Sequence, residues 1–172
     1  MKKIILSGYM GSGKSTVASP LHERSGIEWI DLDTQIEARL QLTVPEIFAS
    51  KGEIFFRKAE HDVLKEILDK NDSFILSLGG GTPCYANNHE LLKADGLDWF
   101  YLKASPDTLY ERVKDDTTDR PLLSGKSPDE LKSFIAQHLF ERSFFYNQAK
   151  YKIATDDKSP LEIAIEIEKL LA

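Results

Sequence analysis

Cysteine is nearly absent from this chain: Cys84 stands alone. A single thiol excludes an internal disulfide framework and a cysteine-based metal site, and it fits a reducing compartment. The four histidines (His22, His61, His89 and His138) are scattered without metal-ligand spacing, so they read as surface or helix residues and no transition metal is expected. Long apolar runs are missing too. Nothing approaches the ~18–20 residues of a membrane span. The N-terminal MKKIILSGYMGSGK has the lysines of a signal peptide, but Gly8 and Lys14 interrupt its apolar stretch. A cytoplasmic protein with no membrane partner is therefore expected. Positive charge is in short supply as well, with a formal net charge of −6. That balance argues against a general nucleic-acid binder, which would present a basic face. An anionic ligand must instead be held by a local cluster of cations and backbone N–H groups.

What is present is an ordinary globular composition. A length of 172 residues suits one domain with a core large enough to need no staples. No repeat, low-complexity segment or linker divides it. Short apolar runs at Lys3–Ser7, Ile27–Asp31, Ser73–Leu78, Leu97–Leu102 and Tyr151–Ala154 read as strands. Helical patterns lie between them. Thr34-x-x-Glu37, Thr43-x-x-Glu46 and Ser127-x-x-Glu130 resemble capping boxes, and Pro106 and Pro128 sit where a first helical residue would. Leu109, Arg112 and Val113 keep helical spacing after Ser105. The last segment, LEIAIEIEKLL, alternates like a strand but follows Ser159-Pro160-x-Glu162, a good helix start, and is read as helix. Strands separated by helices predict an α/β fold built on a parallel sheet.

The clearest chemical signal is Gly8-Tyr9-Met10-Gly11-Ser12-Gly13-Lys14-Ser15, a complete G-x-x-x-x-G-K-[ST] followed by Thr16. Its glycines let backbone N–H groups converge on phosphate oxygens, Lys14 reaches the β- and γ-phosphates, and the Ser15 hydroxyl takes a place on Mg²⁺. The helix starting there adds the positive end of its dipole. A chance glycine-rich turn would match in roughly one chain of this length in two hundred. Here the motif also follows an apolar strand and precedes a helical pattern, so a nucleotide site is expected.

The rest of the chain narrows the kind of nucleotide protein. No Asn-Lys-x-Asp that would read guanine is present, and the run Phe74–Leu78 ends in Gly79-Gly80-Gly81 rather than in the acidic residues of motor and transport ATPases. A small-molecule kinase is the simplest reading. Asp31 and Asp33 end the second predicted strand, at the sheet edge that faces the same crevice as the phosphate loop. One carboxylate could hold Mg²⁺ through water and the other an acceptor hydroxyl, although Asp33 or Thr34 could equally just cap a helix. Arg57, in Gly52-Glu53-x-x-Phe56-Arg57-x-x-Glu60, could pair with Glu53 or Glu60 as a plain helix-surface contact worth ~0.2–0.5 kcal/mol. Phe48 and Phe56 are core residues by default.

Taken together, GYMGSGKST, Asp31-Leu32-Asp33, the EIFASKGEIFFRKAE stretch, Gly79–Gly81, Arg120-Pro121-Leu122-Leu123 and Arg142-x-x-x-Tyr146 resemble the shikimate kinase family nearly end to end. The resemblance implies one P-loop kinase domain over residues 1–172, with a five-stranded parallel sheet in the order 2-3-1-4-5 and helices on both faces. It also implies substrate-binding helices over about 33–61 and a mobile lid over about 114–127. Its expected reaction is ATP-dependent phosphorylation of the shikimate 3-hydroxyl by a monomer. Lys14 and Ser15 would bind phosphate and Mg²⁺, with Asp31 holding the metal through water. Asp33, Arg57, Gly79, Gly80, Gly81 and Arg142 would bind shikimate, with Phe48 and Phe56 walling the pocket. Lid residue Arg120 would reach the transferring phosphate, while Arg112 and Pro160 would approach the adenine.

Two features depart from the family pattern. Ala18-Ser19-Pro20 puts a proline inside the first predicted helix, where it should kink or shorten it. The proline usual between the distal arginine and tyrosine is replaced in Arg142-Ser143-Phe144-Phe145-Tyr146, so the match alone does not fix the direction of Arg142. Chemically, two arginines suit a carboxylate because their planar forks match it bidentately. Asp33, with a reference pKa near ~3.9, is expected to orient a hydroxyl more than to abstract its proton unless strongly perturbed. The rival readings are another small P-loop kinase, acting on gluconate or a nucleoside monophosphate, and a non-catalytic nucleotide-binding switch.

Overall fold

The computed structural model describes residues 1–116 and 121–172. Five parallel strands, β1 (Lys3–Ser7), β2 (Glu28–Asp31), β3 (Phe74–Ser77), β4 (Leu97–Lys103) and β5 (Tyr151–Ala154), form one sheet in the order β2-β3-β1-β4-β5. The order follows from which strands are apolar throughout. β1 and β3 bury nearly every residue and so must lie between helical layers, whereas β2 and β5 bury only Ile30 and Ile153 and form the edges.

Eight α-helices and two short 3₁₀ turns (Thr82–Cys84 and Pro121–Leu123) complete the described residues: α1 (Lys14–Ser25), α2 (Leu32–Leu40), α3 (Val44–Lys51), α4 (Glu53–Leu68), α5 (Asn88–Leu92), α6 (Pro106–Val113), α7 (Pro128–Tyr146) and α8 (Pro160–Leu170). Because side chains alternate along a strand, the sheet divides its apolar residues between two layers. Ile4, Leu6, Ile75, Phe100 and Leu102 pack with Val17 and Leu21 of α1 and Ile163 and Ile167 of α8. On the other face, Ile5, Leu76, Trp99 and Tyr101 pack with Ile36, Ile47, Leu64, Leu109, Ile135 and Tyr146. Each such side chain contributes ~1.5–3 kcal/mol of transfer free energy. The chain leaves β1 towards β2 on one side and later returns to β4 on the other, so a crevice opens at the carboxyl ends of the central strands.

The strand expectations hold to within a residue or so at either end, and LEIAIEIEKLL is helical behind a Ser159–Glu162 capping box. The boxes at Thr43–Glu46 and Ser127–Glu130 form with both reciprocal bonds. The one at Thr34–Glu37 does not. β2 runs directly into α2, so the extended residue at the junction is Asp31, and its carboxylate caps the helix by accepting the Thr34 N–H at 3.0 Å. Pro20 does not shorten α1, which continues to Ser25 and ends at Gly26 in the left-handed region. The missing N–H of Pro20 removes one helical bond, and packing of Val17, Ala18 and Leu21 keeps the rest in place.

Candidate active site

The phosphate loop runs from the end of β1 to the start of α1. Gly11 (φ +81°) and Gly13 (φ +98°) both lie in the left-handed region, and a Cβ at Gly11 would stand 2.7 Å from Cγ1 of Val113. Other residues would be strained at both positions. The Ser12 N–H donates to the Tyr9 carbonyl at 2.9 Å, which closes the loop. Lys14 Nζ donates to the carbonyls of Gly8 (2.8 Å) and Tyr9 (3.3 Å), so the ammonium lies along the loop. α1 starts at Lys14 without a side-chain cap, and the positive end of its dipole faces the loop, as an anion site requires. Arg112 Nη1 donates to the carbonyls of Gly11 and Ser12, each at 3.1 Å, which fixes the guanidinium across the outside of the loop.

A second set of groups meets at Gly79–Gly81, directly after β3. A Cβ on Gly79 would stand 3.1 Å from Oδ1 of Asp33, one on Gly80 3.3 Å from Nη1 of Arg142, and one on Gly81 2.7 Å from Nη2 of Arg57. The triplet is thus a bare backbone floor on which one carboxylate and two guanidinium groups converge. Gly80 also adjoins the phosphate loop, since its Cβ would lie 3.5 Å from the Met10 nitrogen. The two sets therefore share one open cleft of ≈ 1480 Å³. That is more than one small ligand needs, and it suits a nucleotide beside a second molecule.

Every described residue expected at the site, from Gly11, Ser12, Gly13, Lys14, Ser15 and Thr16 through Asp31 and Asp33 to Arg112, Arg142 and Pro160, lines this cleft. Arg120 lies outside the described residues. Phe48 and Phe56 form one wall with ring centroids 4.6 Å apart, Phe56 buried and Phe48 38% exposed. Arg57 does make the helix-surface pairs of its bland reading, with Glu60 at 2.9 Å and Glu53 at 3.9 Å. Yet Glu60 is fully buried, so the pair belongs to the cleft and not to the surface. The Arg57 guanidinium also stacks 3.8 Å above the Tyr85 ring. Arg142 is buried, and the substitution of Ser143-Phe144-Phe145 for the usual proline leaves α7 helical through Tyr146. Arg142 and Tyr146 then share one face, and the Tyr146 hydroxyl donates to the Gly80 carbonyl.

The electrostatics set Asp33 apart. Burial, followed by the neighbouring carboxylates of Asp31 and Glu60, pushes its carboxyl up to about 6, with Lys14 opposing. It is therefore a better proton acceptor than its reference value implied. Several participants carried no readable signal. His138, expected as a surface or helix residue, does lie on α7 but also lines the cleft, its Nδ1 2.9 Å from the Tyr9 hydroxyl. Burial and the charge of Arg142 lower its pKa to about 4, so the ring is neutral at physiological pH. Burial raises the Cys84 thiol to about 11, which keeps it protonated and inert.

Comparison with known proteins agrees with this geometry. A family model for shikimate kinase matches residues 10–172. The shikimate kinase of Flavobacterium psychrophilum is 51% identical over 171 residues, 99% of each chain, and that of Flavobacterium johnsoniae is 49% identical over 172 residues, 100% of each. Among solved structures, the shikimate kinase of Acinetobacter baumannii in complex with shikimate superposes with a TM-score of 0.89 at 32% identity, covering 99% of this chain and 93% of that one. The shikimate kinase of Bacteroides thetaiotaomicron gives 0.88 at 35% identity, covering 99% and 98%. With relatives this similar across its whole length, and with a P-loop and a two-arginine cleft on one parallel sheet, the chain belongs to the shikimate kinase family.

Proposed function

We propose that this chain transfers the γ-phosphoryl group of ATP to the 3-hydroxyl of shikimate, a step in the formation of aromatic amino acids. The observation that carries the reading is the convergence of Asp33, Arg142 and Arg57 on the glycine floor beside the phosphate loop. Shikimate is a ring with one carboxylate and three hydroxyls. The two guanidinium forks match the carboxylate, and Asp33 accepts from a hydroxyl and sets it in line with the phosphorus. Gluconate is less favoured, since the relatives across the full length are shikimate kinases.

Phosphoryl transfer asks little covalent chemistry of the protein, so catalysis rests on positioning and on stabilising charge over the transferring oxygens. Lys14 and Arg120 are assigned that task. The donor set also fits Mg²⁺. The Ser15 hydroxyl and Asp31 are hard oxygen ligands on the cleft wall, and one Asp31 oxygen already caps α2, which suits a carboxylate acting through water. When bound, the ion would neutralise charge on the β- and γ-phosphate oxygens. Arg112 and Pro160 are assigned to the adenine. Residues about 33–61 are proposed as the acceptor-binding helices and about 114–127 as a lid, with Leu122 on the cleft wall as its inner edge. The whole chain is read as one cytoplasmic, monomeric kinase domain.

Kinetics of Arg57→Ala and Arg142→Ala test the reading. Each charge-assisted hydrogen bond contributes ~1.5–3 kcal/mol, so losing two should raise KM for shikimate roughly 10²–10⁴-fold and leave KM for ATP nearly unchanged. An unchanged shikimate KM in both variants would overturn the carboxylate clamp.

A further inference from the structure

Glu60, Thr82 and Asn88 are each fully buried, and they form one hydrogen-bonded chain that ends on Arg57. Arg57 Nη1 donates to Glu60 Oε1 at 2.9 Å, and the Thr82 hydroxyl donates to the other carboxylate oxygen at 2.9 Å. Asn88 Nδ2 donates to the Thr82 carbonyl at 2.9 Å. Asn88 Oδ1 then accepts, so His61 Nδ1, 2.7 Å away, carries the proton that closes the chain. Thr82 follows the glycine floor directly, and its N–H donates to the Gly79 carbonyl at 3.1 Å. One residue therefore closes the turn under the cleft and supplies the second donor to Glu60.

A buried carboxylate held at one oxygen can still rotate about its terminal bond. Held at both oxygens by donors from different elements, its plane is fixed, and so is the guanidinium that pairs with it. With Nη1 committed to Glu60, the Nε–Nη2 edge of Arg57 is the fork that remains. Its Nε is buried and makes no hydrogen bond, the exposed Glu53 carboxylate being 3.9 Å away, and its Nη2 is the atom that lies nearest the glycine floor. Such an orphaned donor is costly unless a ligand supplies the acceptor.

We propose that Thr82 and Asn88 are positioning residues for the acceptor substrate. The Thr82 hydroxyl fixes the Glu60 carboxylate, Glu60 aims the free edge of Arg57 at the substrate carboxylate, and Asn88 holds Thr82 in register. The inference rests on the reading of Arg57 as a shikimate-binding residue.

Steady-state kinetics of Thr82→Val, Thr82→Ser and Arg57→Ala, each checked for folding by circular dichroism, test it. Thr82→Val keeps the shape and removes the hydroxyl. It is expected to raise KM for shikimate about tenfold, with KM for ATP within about twofold, and Thr82→Ser is expected to restore most of the loss. Should Thr82→Val fail to fold, Thr82→Cys, which keeps the bulk but donates weakly, carries the same expectation. A Thr82→Val or Thr82→Cys variant with unchanged shikimate KM, or with both KM values raised together, overturns the inference. If Arg57→Ala raises shikimate KM while Thr82→Val does not, only this inference falls. If Arg57→Ala leaves it unchanged, both readings fall.

Discussion

Replacing Asp33 by asparagine should make the protein more stable at neutral pH while removing most of its activity. The carboxyl sits in the cleft among Asp31, Glu37 and Glu60, and burial with that like charge pushes it from 3.8 to about 6. Ionising it in the folded chain therefore costs about 3 kcal/mol, of which water in the open cleft screens a part, leaving about 1–3 kcal/mol. The sign follows from proton uptake. Between pH 4 and 6 the folded state holds the Asp33 proton more tightly than the unfolded state does. Stability from this group is thus complete below pH 3.8 and is lost as pH rises through about 6. Asparagine carries no charge to desolvate, so the variant escapes the loss. Thermal unfolding of both proteins from pH 4 to pH 8 reads the difference directly. The two curves should meet near pH 4 and separate in favour of Asp33→Asn by pH 7, a gap of about 2–4 °C in Tm per kcal/mol for a chain of this length. A difference that does not change with pH, or a variant less stable at pH 8, would refute the reasoning. Activity should fall in the same variant, because the strain is held where a hydroxyl must be gripped.

The same shift predicts an acid limb in kcat/KM for shikimate near pH 6, since that ratio reports groups of the free enzyme. His138, pushed down to about 4, does not titrate in that window, so a limb near pH 6 that disappears in His138→Gln would contradict the assignment to Asp33. Gly81→Ala adds a methyl group 2.7 Å from Arg57 Nη2 on a backbone that tolerates it (φ −88°), so the damage is steric. Its shikimate KM should rise about tenfold or more while ATP binding, followed by fluorescence, stays as in the parent. Arg120→Ala should lower kcat and leave both KM values nearly as they were, because its contact belongs to the transition state; a change confined to KM would remove the lid role.

Much of the architecture was legible because the deciding signals are local. The apolar runs of β1 and β3 read as strands by themselves, while their central place in the sheet comes only from the family resemblance; Ser-Pro-x-Glu before α8 outweighs an alternating pattern that also fits a strand. The phosphate loop is read directly, since each of its residue types answers to one task on a phosphate. Local signals also misled. Thr34-x-x-Glu37 has the form of a capping box, but Asp31 stands nearer the strand end and takes the capping role. Pro20 should kink or shorten α1, yet the helix runs on to Ser25, and burial on its inner face outweighs one lost bond. Contacts between distant residues left no trace. Tyr9 and His138 are 129 residues apart, and neither alone is unusual. Glu60 was visible only as a possible surface partner for Arg57, because its burial depends on Thr82 and Asn88 arriving from another segment. Spacing within a helix reveals a pair; it does not reveal what closes over it.

The account stands most directly on the acceptor. ADP release from Mg-ATP should be measured with shikimate, gluconate, AMP or no acceptor. Strong stimulation by shikimate alone, with shikimate 3-phosphate as product, is the predicted result. Equal turnover with gluconate or AMP would contradict the two-arginine reading of the cleft, and ATP binding without stimulated turnover by any acceptor would contradict the kinase itself.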